Sequence, residues 1–446
     1  MTANVPESSP LSSKQMSNKR LKVLLIVEQC NPDWASVPLV GYNFFQQINN
    51  LVDATLVTHI RNKPALDKHP EYEKTIYLEE GNLAKEYYKI VEKLTATGRI
   101  NWPIYHALNY PIYEQFNQQV YQKFKGKILN GDYDIVHAIT PMMPRYPFKV
   151  VSVCQQTPFI LGPVNGGIPF PPGFQKTARQ EFAQFNFLRA VGRALIPGYA
   201  ETYQKAEKIL AGSKYTLNML KDLFAIPDQR IDLFYENGIS EEFLNQTNIL
   251  NKDVSKINLL FVGRLVPYKC ADLVIESIGK LDQEIQSKIR LSIVGDGSER
   301  NNLENRVKEL NLGEIVSFAG WVNQQETLDY YRKADIFCFP SIREFGGAVV
   351  MEAMACGLPC IVANNGGIGE YVNEETGFKI EPISREYLTQ ELTSKIKLLV
   401  EDDRLRESMS AKAIEKAKEF AWENKAIKII EIYEKILGEK SVSASA

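Results

Sequence analysis

The chain has 446 residues, of which 44% are hydrophobic and 24% are charged. This composition is typical of a globular protein, and at about 150 residues per domain the length allows two or three domains. It excludes disordered, collagen-like and disulfide-stapled chains. Lys and Arg total 52 against 54 Asp and Glu, which gives a net charge of −2. We therefore expect no nucleic-acid partner.

The cysteines and the amino terminus bear on the cellular compartment. The six cysteines form no CxxC pair and no cluster with histidine, which favours a reducing compartment. Residues 1–20 are Ser-rich and lack the apolar segment of a secretory signal, so we expect a disordered tail. No run reaches the about 18 apolar residues that span a bilayer. The sequence predicts a cytoplasmic protein, with peripheral attachment to the membrane as the alternative.

Apolar runs alternate with helical patterns in two successive series. The first series is LKVLLIV (21–27), DATLVTH (53–59), DIVHA (134–138), FILGPV (159–164) and KILAGS (208–213). The second is INLLFVG (257–263), IRLSIVG (289–295), IVSFAG (315–320), DIFCFP (335–340), PCIVA (359–363) and GFKI (377–380). Strands that alternate with helices form parallel sheets. The sequence therefore predicts an α/β protein with two Rossmann-like doubly wound domains, joined near the polar segment 237–253.

Two cations follow the first strand of the second series. Arg264 and Lys269 lie in GRLVPYK, at the carboxyl end of a strand, where open α/β sheets bind ligands. A guanidinium and an ammonium group on one loop suit a diphosphate. Taken alone, the pair is more often a solvated basic loop.

Two carboxylates flank the start of a predicted helix. Glu344 follows the strand DIFCFP, and Glu352 comes eight residues later, inside a helix that we expect to begin near Gly347. The amino end of that helix would present free amide groups to an anion. Carboxylates beside such a site suit sugar and ribose hydroxyls. The alternative for each is an acid favoured by the helix dipole.

Together GRLVPYK, the E-x7-E pair Glu344/Glu352 and GLPCIVANNGGIGEYV resemble the family 4 retaining glycosyltransferases (glycosyl transferases group 1). The resemblance is strong over 257–380, and over the rest of the chain it extends to the general arrangement of the elements. It implies the GT-B fold, with two Rossmann-like domains that face a central cleft. The expected division is a tail (1–20), an acceptor-side domain (21–240), a nucleotide-sugar domain (241–420), and a final helix that returns to the first domain, followed by a tail (421–446).

The resemblance also implies roles for particular residues. Glu344 would contact the donor sugar near its reacting carbon, and Glu352 would bind the ribose hydroxyls. Arg264 and Lys269 would hold the diphosphate and stabilise its charge on departure. His137 would face the donor sugar, although a buried structural histidine is an equal alternative. Further donor-binding groups would come from Gly346, Gly347, Ala348, Val349 and Gly41.

The sequence departs from the family pattern in three places. The glycines inside the E-x7-E pair are shifted to Gly346 and Gly347, and Cys270 stands where glycine often follows the lysine. The first loop carries only Gly41 instead of a pair of glycines. Because that loop approaches the diphosphate and the acceptor, we expect a substrate different from those of the well-known members.

The resulting hypothesis is a retaining transferase that moves a sugar from a nucleoside-diphosphate sugar to a hydroxyl of a glycan, lipid or small molecule. The resemblance implies that the sugar is a hexose. Polysaccharide biosynthesis is the expected setting, and we expect no cofactor and no metal. The alternatives are a nucleotide-sugar epimerase of the same fold, a non-catalytic nucleotide-sugar-binding scaffold and, least favoured, a nicotinamide dehydrogenase. The segment 182–199, which mixes apolar residues with arginines, predicts a core-facing helix. Contact with the cytoplasmic membrane face is its alternative.

Overall fold

The computed structural model describes residues 20–95, 101–245 and 255–445. The tail over residues 1–19 and most of the expected linker (246–254) lie outside the described residues. The first sheet contains β1 (Lys22–Val27), β2 (Asp53–His59), β3 (Thr75–Leu78), β4 (Ile135–Thr140), β5 (Phe159–Val164), β6 (Lys208–Ala211) and β7 (Ile231–Leu233). Its strands are all parallel, in the order β3-β2-β1-β4-β5-β6-β7.

Helices surround the first sheet. They are α1 (Val37–Leu51), α2 (Lys63–Leu66), α3 (Asn82–Thr95), α4 (Trp102–Leu108), α5 (Tyr110–Leu129), α6 (Gln175–Gln180), α7 (Leu188–Leu195), α8 (Tyr199–Lys205) and α9 (Lys214–Phe224). The next helix, α10 (Glu241–Leu244), contributes Phe243 to the core of the second domain. Strands β1 and β4 are almost wholly buried, as expected for central strands covered on both faces. The order of strands is that of a doubly wound sheet, in which ligands bind beyond the carboxyl ends of the strands.

The second sheet has the same construction. It contains β8 (Ile257–Val262), β9 (Ile289–Val294), β10 (Val316–Gly320), β11 (Ile336–Phe339), β12 (Cys360–Ala363) and β13 (Gly377–Ile380). The strands are parallel, in the order β10-β9-β8-β11-β12-β13. The structure thus confirms the two series of strands that the sequence predicts.

The remaining helices belong to the second half of the chain. They are α11 (Ala271–Gly279), α12 (Gln283–Ser287), α13 (Arg300–Glu309), α14 (Gln324–Lys333), α15 (Ala348–Ala355), α16 (Gly367–Tyr371), α17 (Arg385–Glu401), α18 (Asp403–Ala417) and α19 (Trp422–Ser445). All but α19 surround the second sheet and its core.

Helix α19 packs on the first domain, against α1. Trp422, Ile429 and Tyr433 are buried in the same cluster as residues of β1 and α1. The indole of Trp422 meets the ring of Phe44 edge to face, with centroids 5.0 Å apart. The last helix therefore completes the core of the first domain, although it follows the second domain in sequence.

We predict that this contact is needed for the stability of the first domain. Ile429 is fully buried and Ile427, on the same helix, is 48% exposed. Ile429→Ala should lower the free energy of unfolding by about 2–5 kcal/mol, because it leaves a cavity. Ile427→Ala should change it by less than about 0.5 kcal/mol. Chemical denaturation of both variants measures the difference, and equal effects would contradict the packing of α19.

Candidate active site

Lys269 and Glu344 meet at the carboxyl edge of the second sheet. Strands β8 and β11 are neighbours, so the loops that follow them lie side by side. The Lys269 ammonium forms an ion pair with Glu344 Oε2, and Ser341 Oγ donates to the same oxygen at 3.3 Å. The two charged side chains are only 12% and 15% exposed. This is a partly buried ion pair with its carboxylate anchored from a second side.

Arg264 lies on the same loop as Lys269 but points to solvent. Its Nη2 donates to the hydroxyl of Tyr268 at 2.9 Å, and the side chain is exposed. The structure therefore places one buried and one exposed cation on the loop after β8. An exposed guanidinium keeps its fork of donors available to an anion.

Glu352 lies just over one turn inside α15, as the sequence predicts, and points toward α14. Its Oε2 accepts a hydrogen bond from the hydroxyl of Tyr331 at 3.0 Å. Burial raises the pKa of the Glu352 carboxyl to about 7, and the hydrogen bond from Tyr331 opposes this shift. Glu344 and Glu352 thus occupy different surroundings, one paired with a cation and the other with a neutral hydroxyl.

The amino end of α15 follows Glu344 directly. The helix begins at Ala348, so the amides of Ala348 and Val349 belong to its first turn, whose N–H groups have no partner within the helix. Gly347 adopts the left-handed conformation, with φ of 54°. A Cβ at Gly346 would overlap Asn237 Nδ2 and Glu236 Oε1. The close packing against the first domain is therefore enough to explain a glycine at position 346, and no bound phosphate is needed to explain it.

Glu236 is a buried group beside the site that no motif in the sequence indicates. Asn165 Nδ2 lies 2.9 and 2.7 Å from its two carboxylate oxygens, and also 3.1 Å from the carbonyl oxygen of Phe345. Burial raises the pKa of Glu236 to about 7. The nearby Lys425 ammonium, whose own pKa burial lowers to about 7, favours ionised Glu236. This network joins strand ends of the first domain to the segment that carries Glu344.

Further contacts cross between the domains at this edge. Arg343 Nε donates to the carbonyl oxygen of Ile168 at 3.1 Å. The backbone N–H of Lys214, at the start of α9, donates to Glu370 Oε1 at 2.9 Å. A cavity of about 370 Å³ lies between α6 and the segment 265–267. The carboxyl edges of the two sheets therefore face one another across a cleft. Direct hydrogen bonds between the domains lie at one side of this cleft.

The structure corrects the role expected for His137. This residue lies on β4 with none of its surface exposed. Its Nε2 donates to the carbonyl oxygen of Gly162 at 2.7 Å, so Nδ1 accepts from the hydroxyl of Tyr433 at 2.6 Å. Burial lowers its pKa to about 4. Because helix α19 covers it and both nitrogens are bonded, His137 does not face a ligand in the cleft and acts as a structural histidine.

Gly41 also differs from expectation. It lies inside α1 and is buried, whereas the family resemblance predicts a loop there that approaches a diphosphate. A Cβ at this position would overlap the carbonyl oxygen of Gln29 and press on Val27 and Thr140. The missing side chain lets α1 pack closely on the ends of β1 and β4, so Gly41 does not present its backbone to a ligand.

Two negative findings apply to residues 20–95, 101–245 and 255–445. No group of three or more His, Cys, Asp or Glu side chains there is arranged to hold a metal ion. Nor is any helix in those ranges long and apolar enough to cross a bilayer.

The raised pKa of Glu352 leads to a prediction about stability. A carboxyl titrating near 4.5 when unfolded and near 7 when folded stabilises the fold fully below pH 4.5, and this contribution is lost as the pH rises through 7. Glu352→Gln removes the ionisation. Its melting temperature should exceed that of the wild type at pH 8 and match it at pH 4. Glu434→Gln, at an exposed position of α19, serves as the control. An equal difference at both pH values would contradict the burial of this carboxylate.

The match to a known protein family falls on the second domain. Residues 243–416 match the family model described as Glycosyl transferases group 1. A Campylobacter jejuni relative, an N-acetylgalactosaminyltransferase acting on a diphospho-undecaprenol glycan by its name, is 30% identical over 53% of this chain and 61% of its own length. The chain spans between 46% and 62% of the length of this and other curated relatives.

Solved structures resemble the whole chain. Sucrose-phosphate synthase from Thermosynechococcus elongatus is 19% identical, with a TM-score of 0.64 over 94% of this chain and all of that one. The Anabaena protein HepE, solved in complex with UDP, is 15% identical, with a TM-score of 0.61 over 93% of this chain and all of its own. With the two parallel sheets, these likenesses confirm the predicted GT-B fold.

Proposed function

We propose that the protein is a retaining glycosyltransferase of family 4, which transfers a sugar, a hexose by the resemblance, from a nucleoside diphosphate to a hydroxyl acceptor. The observation that carries the proposal is the Lys269–Glu344 pair at the cleft, followed by a free helix amino end and Glu352. The family match over 243–416 and the UDP in the HepE structure support a nucleotide-sugar donor.

The cations would bind the diphosphate of the donor. Lys269, held at the floor of the cleft, and Arg264, exposed on the same loop, would each take a phosphate group, and the first turn of α15 would add amide donors. As the bond to the sugar breaks, negative charge grows on the leaving diphosphate. Fixed cations in a partly buried site stabilise that charge more than the ground state. We propose that they do so without a metal ion.

The carboxylates would hold the sugar and the ribose. Donor phosphates would draw Lys269 toward themselves and free Glu344 to contact the sugar hydroxyls and to stabilise positive charge on the ring. Glu352 would accept a hydrogen bond from ribose while Tyr331 holds its other side. Retention of configuration follows from the resemblance. We assign no covalent nucleophile.

One measurement separates this proposal from its rivals. The purified protein is incubated with nucleotide sugars that vary in base and sugar, and donor consumption is followed with and without alcohol acceptors. A transferase releases the nucleoside diphosphate together with a new glycoside whose anomeric configuration, measured by NMR, equals that of the donor. An epimerase gives an altered sugar without any acceptor, and a binding scaffold consumes no donor. An inverted product would refute retention.

Removing either cation should lower turnover strongly while the fold survives. Lys269→Ala and Arg264→Ala should each cut kcat/KM by about two orders of magnitude, equivalent to about 3 kcal/mol, by analogy with removing one oxyanion donor. Lys333→Ala, an exposed lysine on α14, controls for the loss of charge. Steady-state kinetics of the three variants and the wild type measure these effects. Near-normal turnover in both variants would show that the diphosphate binds elsewhere.

Substitutions of Glu352 and Glu344 should change different kinetic parameters. Glu352→Gln keeps the shape but loses the charge near a ribose that changes little during reaction, so it should mainly raise KM. Glu344→Gln removes charge beside the breaking bond, so it should lower kcat more than it raises KM. The kinetics of both variants with the true donor test this. If both changes raised only KM, Glu344 would be a binding group without a catalytic role.

A further inference from the structure

Two side chains of the first domain contact the backbone that directly follows Glu344. Asn165, after β5, donates from Nδ2 to the carbonyl oxygen of Phe345 at 3.1 Å. Glu236, after β7, lies so close to Gly346 that a Cβ on this glycine would overlap Glu236 Oε1. Phe345 and Gly346 are the first two residues after the candidate catalytic carboxylate. The first domain therefore holds the loop of Glu344 at two successive residues.

The side-chain amide of Asn165 has a fixed orientation. Its Oδ1 accepts hydrogen bonds from the hydroxyls of Ser213, at 2.9 Å, and Thr216, at 2.8 Å. Its Nδ2 therefore faces the other way, toward the two carboxylate oxygens of Glu236, at 2.9 and 2.7 Å, and the carbonyl oxygen of Phe345. One N–H bond can serve the carboxylate and the other the carbonyl. Because hydrogen bonds to an ionised acceptor are the stronger ones, Glu236 fixes the amide that holds Phe345.

The last helix adds a cation to this network. Lys425, on α19, is buried, and its ammonium group donates to the carbonyl oxygen of Tyr235. Burial raises the pKa of the Glu236 carboxyl to about 7, and the nearby charge of Glu344 adds to this rise. The hydrogen bond from Asn165 and the charge of Lys425 act in the opposite direction. The ionised form of Glu236 is therefore supported by an amide on one side and by an ammonium group on another.

Neither Asn165 nor Glu236 is placed to touch a ligand in the cleft. They are 3% and 7% exposed, and both polar atoms of the Asn165 side chain are bonded within the protein. The carboxylate of Glu344, by contrast, is held from the second domain, by Lys269 and Ser341. The side chain of Glu344 thus depends on one domain and the backbone after it depends on the other.

We propose that Asn165 and Glu236 are positioning residues that set the place of the Glu344 carboxylate in the cleft. The inference rests on the proposed function, because the catalytic role of Glu344 belongs to it. When donor phosphates draw Lys269 away, Glu344 loses its strongest side-chain partner. The backbone anchor formed by Asn165 remains, and it keeps the carboxylate directed at the sugar. A displacement of about 1 Å at a reacting centre can cost about 100-fold in rate.

The first test compares full-length Asn165→Ala with Asn117→Ala. Asn117 is also 3% exposed, and its side chain bonds to Glu114 and to the backbone N–H of Lys149, within the first domain. Both variants should lower the melting temperature. Only Asn165→Ala should lower kcat, by about 10- to 100-fold, with the donor KM within about twofold of the wild type. Equal kcat values in the two variants, or a loss mainly in KM, would overturn the proposal.

Variants of Glu236 test whether the two residues act together. Glu236→Ala should lower kcat, and Glu236→Gln, which keeps an oxygen acceptor for Asn165, should lose much less. The double variant Asn165→Ala/Glu236→Ala should be no slower than Asn165→Ala alone, because both changes break one chain of contacts. Losses that multiply would overturn the joint role. The two Glu236 variants also carry the test if Asn165→Ala does not fold.

Hydrogen exchange of the ligand-free proteins tests the positioning without any activity. In Asn165→Ala the segment 343–349 should exchange at least about threefold faster than in the wild type and in Asn117→Ala, because the loop has lost its anchor. Unchanged exchange in this segment would overturn the proposal. If the wild type transfers sugar from no donor, the proposed function fails. Faster exchange would still show that Asn165 holds the loop of Glu344.

Discussion

The candidate active site depends on one ion pair held away from water. Lys269 and Glu344 meet between two neighbouring strand ends of the second sheet, where both side chains are almost covered. Two opposite charges in such a place stabilise one another, and removal of either leaves an uncompensated partner. In the proposed reaction, the diphosphate of the donor would compete for the ammonium group, and the carboxylate would then become available to the sugar.

The surroundings of this pair follow from the same constraint. Arg343 and Phe345, on either side of Glu344, bond to the first domain through Ile168 and Asn165. These contacts fix the Glu344 loop between the two domains. Lys269 lies on the second-domain side of Glu344.

Much of this arrangement was accessible from the sequence. Continuous apolar runs predict the buried parallel strands, and the segment after β11 predicts a helix start near Gly347, which the structure has at Ala348. Lys269 and Glu344 both follow strands of one sheet, and this predicts that they lie in one site. Parallel topology places such residues at a common edge, whatever their separation in sequence.

The sequence-based predictions that are wrong or incomplete share one physical cause. His137 follows the right pattern, but the hydroxyl of Tyr433, on a helix almost 300 residues later, occupies one of its nitrogens. The segment 182–199 predicts a core-facing helix, but no residue of α7 is buried, because a local amphipathic pattern does not indicate whether its apolar side meets the protein. Glu236 is positioned by Asn165, at another strand end of the same domain, and Arg343 by a contact between domains. Contacts distant in sequence decide each case, and local patterns carry no information about them.

The most direct test of the central claim is hydrogen exchange of the whole protein with and without a saturating nucleoside diphosphate, using UDP, GDP and ADP as probes. If the donor lies where the ion pair and helix α15 place it, the nucleotide that binds should slow exchange in the segments 264–271 and 344–352. Exchange near His137 and in helix α7 should stay unchanged. Protection confined to the first domain, with no change around Lys269 and Glu344, would contradict the account.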